Sequence, residues 1–70
     1  MNNQKLAAQI LDKAAARADM IDKAPATGKQ CWFLAKLIID NDSIDNYSDA
    51  SFILTKSKAS KMISTYLEAS

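Results

Sequence analysis

The side chains able to do chemistry in this sequence fall into three groups. Asp40, Asp42, Asp45 and Asp49 crowd one stretch rich in Asn and Ser. Lys56, Ser57, Lys58 and Lys61 crowd the stretch that follows, and Cys31 stands apart from both. Carboxylates hold hard cations through oxygen, and Asp40-Asn41-Asp42-Ser43-Ile44-Asp45 has the oxygen-rich start of a calcium loop. It lacks the glycine at the sharp turn and the closing glutamate of such a loop, so no metal site is expected. Cys31 falls in the first turn of a helical pattern, where backbone amides can lower a thiol pKa. The chain has no histidine to pair with it. Ser-His and Cys-His nucleophile mechanisms are therefore closed. One Cys and no His cannot furnish the four ligands of a structural zinc site, and an intrachain disulfide is excluded. Tyr47, Tyr66 and Glu68 add no acid–base constellation. The expectation is no enzyme and no cofactor.

The basic run is more informative. Lys56 and Lys58 occupy the first turn of a helical pattern, against the macrodipole, which favours acids there. Together with the first amides of that helix, Ser57 and Lys61, they would suit a phosphate or a carboxylate. The alternative is an ordinary solvated surface with a small electrostatic mismatch. The same choice applies to the acidic stretch. Residues 40–49 hold four Asp and no cation, whereas residues 55–61 hold three Lys and no anion. These two patches cancel in a net charge of +1. That balance is neither the strongly basic signature of a general nucleic-acid binder nor that of an acidic mimic.

The elements that position these groups follow from length and periodicity. Seventy residues, 49% of them hydrophobic, allow one small domain over residues 1–70 with a single core. No apolar run approaches the roughly 20 residues of a membrane span. The first residues lack the apolar core of a signal peptide, and a lone thiol fits a reducing cytoplasm. A first helix is expected over about residues 4–23, capped by Asn2 or Asn3 and ended by Ala24-Pro25. Its apolar arc is Leu6, Ala7, Ile10, Leu11, Ala14, Ala18 and Ile21, with Asp19 and Lys23 as an i,i+4 pair. Ala14-Ala15-Ala16 gives it a slim middle that another element can approach closely. A second helix is expected over about 28–39, started by a Thr27–Gln30 capping box. Phe33, Leu34, Leu37 and Ile38 share one of its faces; Trp32, Ala35 and Ile39 share another. Such breadth calls for burial on two sides, or for one core side and one docking side. A third helix is expected over about 56–69, with Thr55 as cap and Leu54 and Ala59 as a hydrophobic staple.

Between the last two helices lies a long connection with Ile44, Tyr47, Phe52 and Ile53. These are too many apolar side chains to leave in water, and long structureless loops are uncommon in small domains. The loop is therefore expected to be ordered, crossing over the helices and pinned by Tyr47 and Phe52. A short helical turn is expected from Ser48 to Phe52, with Ser48 as its cap. The fold class read here is all-α: three helices with an acidic crossover loop.

Two motifs carry a resemblance. Ala26-Thr27-x-Lys29-Gln30-x-x-Phe33-Leu34-x-x-Leu37 is followed by Leu54-Thr55-Lys56-x-x-Ala59-Ser60-x-x-Ile63. This pairing resembles a short helical domain of phage, plasmid and bacterial proteins, mostly of unknown function, and covers about residues 26–67. Many members carry an acidic residue where this chain has Lys58. The resemblance implies a helix–extended loop–helix unit without enzyme activity. It also implies the setting of phage accessory proteins, which often act by occluding a host or phage machine; an anti-CRISPR-like inhibitor of host defence is one such mode.

Two functions follow. The first is a protein-binding module using Trp32, Ile39, Tyr47 and Phe52, with Asp42, Asp45 and Asp49 facing a basic surface. The second is a small nucleic-acid-binding module contacting phosphates through Lys56, Ser57, Lys58 and Lys61. With Arg17 the one arginine, such binding would read little sequence. The broad second helix also makes a homodimer an expected use of its spare face.

Overall fold

In a computed structural model of the chain, residues 3–69 are described. Helix α1 spans Asn3–Met20, α2 spans Gly28–Asn41 and α3 spans Lys56–Ala69. A single 3₁₀ turn, Ile44–Tyr47, interrupts the connection between α2 and α3. The fold is thus the small all-α three-helix domain read from the sequence.

The first helix ends earlier than Pro25 requires. Asp22 takes a left-handed backbone with φ of 58°. Its N–H bonds the Asp19 carbonyl at 3.1 Å, and the Lys23 N–H bonds the Ala18 carbonyl at 3.0 Å. This is a Schellman stop, with Asp22 where glycine is usual. Lys23 consequently lies beyond the helix and forms no i,i+4 helical pair with Asp19. Asn3 opens α1 rather than capping it, and the other proposed cap, Asn2, lies outside the described residues.

The inward face of α1 is also rotated from the expected one. Ala7, Ala8, Leu11, Ala14, Ala15 and Ala18 are buried, while Leu6 and Ile21 are exposed. The alanines win because α2 packs along α1 and the crossover segment comes against it at Ala14. The Leu54 N–H donates to the Ala14 carbonyl at 3.1 Å, an approach that larger side chains would obstruct. The same segment pairs with the α1–α2 linker through one antiparallel bridge, Pro25 to Thr55. The Ala26 N–H reaches the Leu54 carbonyl at 3.2 Å and the Lys56 N–H reaches the Ala24 carbonyl at 2.9 Å. Pro25 faces Thr55 between these two bonds, so its missing N–H leaves nothing unpaired.

Helix α2 starts as its sequence demands. The Gln30 N–H donates to Thr27 Oγ1 at 3.1 Å, and the Thr27 N–H donates to Gln30 Oε1 at 3.0 Å. Its buried stripe is Cys31, Leu34, Ala35 and Ile38. Phe33, which shares a helix face with Leu34 in the sequence pattern, lies outside that stripe. Thr55 caps α3, its Oγ1 accepting from the Lys58 N–H at 3.0 Å. Leu54 and Ala59 are both fully buried, in one core with Leu11, Leu34 and Ile38.

Candidate functional site

Three places result from this packing. The first is the outer face of α2. Because Cys31, Leu34, Ala35 and Ile38 turn inward, the successive residues Trp32 and Phe33 are both left at the surface, 46% and 43% exposed. Exposed Lys29 and Lys36 border them. Gln4 Nε2 donates to the Trp32 carbonyl at 3.0 Å, tying the start of α1 to this helix. Ile39 is not part of this face. It is half-buried against the core and lines a shallow depression with Leu6, Asp42 and Ile44.

The second place joins residues that the sequence distributes between two rival functions. Tyr47 and Phe52, from the loop, pack edge to face with ring centres 5.3 Å apart. Lys58 Nζ, from α3, stands 5.0 Å from the Phe52 ring centre, in cation–π range. The Tyr47 and Tyr66 hydroxyls lie 3.0 Å apart. Lys58, Lys61, Met62, Thr65 and the two tyrosines enclose an open groove of about 390 Å³. The Tyr66 hydroxyl is held protonated: burial raises its pKa most, followed by the bond to Tyr47 and the charge of Asp42.

The loop aspartates have different tasks. Asp42 Oδ1 accepts from the Ser43 N–H at 2.8 Å and from Asn46 Nδ2 at 2.9 Å. Its Oδ2 lies 3.3 and 3.4 Å from the Tyr47 and Tyr66 hydroxyls, whose two protons are shared between this carboxylate and their own 3.0 Å contact. The Ser43 amide chiefly holds its carboxyl below the usual range, aided by the tyrosines and Asn46. Asp49 Oδ1 accepts from the Ser51 N–H at 2.8 Å and its hydroxyl at 2.9 Å, which lowers this carboxyl too. Asp42 and Asp49 thus organise the loop, whereas the exposed Asp45 carboxylate has no partner among the described residues. The helical turn of the loop runs from Ile44 to Tyr47 with Ser43 as cap. Ser48 closes this turn, its hydroxyl on the Asp45 carbonyl at 2.9 Å. The turn expected from Ser48 to Phe52 is present but is started by Asp49, whose carbonyl accepts from the Phe52 N–H at 3.0 Å.

The third place is the start of α3. Lys56, Ser57, Ser60 and Lys61 border an open depression of about 510 Å³ with Gln30 and Ala24. Its helix amides are largely committed. Lys56 N–H bonds Ala24 and Lys58 N–H bonds Thr55, so the lysine side chains remain as the anion contacts.

Sequence reasoning passed over Arg17. Its Nη1 donates to the Phe52 carbonyl at 2.9 Å and to the Asp49 carbonyl at 3.2 Å, fastening the crossover loop onto α1. The available signal was a lone arginine on an alanine-rich helix. Cys31 is the opposite case: burial chiefly, then the hydrogen bond to and charge of Asp12, push its thiol up to about 12. A thiol so held is not a nucleophile near neutrality. Among the described residues no group of three or more Cys, Asp or Glu is placed to hold a metal ion. Among the described residues no helix is long and apolar enough to cross a membrane.

No family model, no curated protein and no solved structure matches this chain. The motif resemblance of residues 26–67 therefore stands on those residues alone, and the functional reading rests on the surface itself.

Proposed function

We propose that this chain is a non-enzymatic protein-binding module that docks through the Trp32–Phe33 face of α2. One observation carries this reading: two successive aromatic residues remain 46% and 43% exposed, both outside the core stripe of α2. Aromatic residues, Trp above all, supply much of the energy of interface hot spots. Grouped exposed apolar surface marks interaction sites, whereas scattered single residues need no explanation. Lys29 and Lys36 give the pair a polar rim, as binding patches have. The mode proposed is the occluding one that the motif resemblance implies: a cytoplasmic phage or mobile-element accessory protein that blocks a host defence or nucleic-acid machine.

A second reading, phosphate binding by the start of α3, is favoured by the depression that gathers Lys56, Ser57 and Lys61. The two readings separate in one experiment: tagged capture from the native host with the wild type and with a Trp32→Ala/Phe33→Ala variant. A protein held by the wild type and lost by the folded variant supports docking through α2. Equal capture by both refutes it. Nucleic acid that leaves steeply as salt rises supports the second reading. A wild-type dimer that becomes a monomer on the same substitution identifies the partner as a second copy.

A further inference from the structure

We propose that the groove between the crossover loop and α3 receives an acidic, apolar segment of a partner protein. The inference rests on the reading that the chain binds protein, but it uses a surface separate from Trp32 and Phe33. Met62 and Tyr66 form an apolar floor, since both are half-buried against the core. Lys58 and Lys61 stand at the rim one helical turn apart, so both cations project to the same side. No residue lining the groove is acidic. Neither lysine has an ion-pair partner among the described residues. The one carboxylate reaching the groove tyrosines, Asp42, is held by donors from Ser43, Asn46 and the two tyrosine hydroxyls.

The chemistry is therefore one-sided: an apolar surface bordered by two uncompensated cations. Its complement is an apolar side chain flanked by carboxylates. A bare phosphate backbone would satisfy the lysines and leave the Met62–Tyr66 floor wet. Lys58 is already stacked on Phe52 and so partly ordered before a ligand arrives, which reduces the entropy lost on binding. The groove has the volume of a small-ligand site but lies open, which suits a side chain presented by a peptide.

The test uses a capped peptide, Glu-Glu-Phe-Glu-Glu, its glutamine counterpart and an oligothymidylate, each titrated into the isotopically labelled chain and followed by amide chemical shifts. The acidic peptide is expected to move the amides of Tyr47, Phe52 and residues 58–66. Lys58→Glu/Lys61→Glu is expected to weaken it about tenfold. Glu at position 58 suits the first turn of a helix capped by Thr55, so a loss of binding in this variant is not a loss of fold. Trp32→Ala/Phe33→Ala is expected to leave the titration unchanged; if that variant loses its cellular partner yet keeps the peptide, the two surfaces are distinct. Absence of shifts at millimolar peptide overturns the proposal. So does equal binding of the glutamine peptide, or tighter, steeply salt-dependent binding of the oligothymidylate to the same lysines.

Discussion

Replacing Arg17 by methionine removes one guanidinium while keeping most of the apolar stem. Two hydrogen bonds disappear, to the Phe52 carbonyl at 2.9 Å and to the Asp49 carbonyl at 3.2 Å. Hydrogen bonds from a charged donor contribute about 1.5–3 kcal/mol. The Phe52 carbonyl is part-buried, so its bond takes that value. The Asp49 bond is exposed and water can replace the donor, so its loss costs about 0.5 kcal/mol. The sum is about 2–3.5 kcal/mol, against a total of roughly 4–10 kcal/mol for a domain of this size. A midpoint shift of about 10–20 °C follows. Both bonds leave one nitrogen, Nη1, so the ammonium of a lysine at position 17 has donors enough for the two carbonyls but a shorter reach, and it recovers about half. Thermal melting measures the loss, and amide exchange localises it. The Leu54 N–H, which bonds Ala14, is expected to lose protection before amides in the middle of α2 do. A shift below about 3 °C with unchanged Leu54 exchange would refute the idea that Arg17 holds the crossover loop.

Three further outcomes test other parts of the structure. Asp22→Gly relieves an L-residue of a left-handed backbone and should raise stability by about 0.5 kcal/mol, whereas Asp22→Val should lower it by about 1 kcal/mol or more; equal urea midpoints for the two variants would contradict the Schellman stop. Asp42 and Asp49 are held below the ordinary carboxylate range by their amide and hydroxyl donors. The unfolded chain therefore takes up protons first, near pH 3.9, so stability is full above about pH 5 and falls as acidification approaches the lower folded values. Asp42→Asn should flatten that fall in urea titrations, and an unchanged acid limb would count against the loop assignment. With burial holding the Cys31 thiol near 12, Ellman's reagent at mildly alkaline pH should label it only after denaturant is added; rapid labelling of the folded chain would show that the thiol is reachable.

Local features of this protein were legible in the sequence because they are satisfied locally. The Thr27–Gln30 box, the Thr55 cap and the buried Leu54 and Ala59 involve groups a few residues apart, and each formed as read. So did the ordered loop, since Tyr47 and Phe52 had to leave water somewhere. Where α1 stops was not legible, because a left-handed Asp22 ends it before proline intervenes. Nor was the direction each helix faces. A periodicity of 3.6 defines a wide apolar arc, but the neighbour selects which part turns inward. Here α2 packs along α1 and the Leu54 backbone comes against it at Ala14, so alanines turned in on α1, and Phe33 stayed at the surface of α2. Arg17 was invisible for a related reason: its acceptors are main-chain carbonyls 32 and 35 residues away, and carbonyls carry no sequence signature. Only the tertiary structure decided that the aromatic loop and the basic helix start meet in one groove, with Asp42 beneath it as an organiser. The sequence by itself determined three helices, two of them with their N-caps, and a surplus of apolar and charged side chains; long-range backbone contacts decided which of them remain outside.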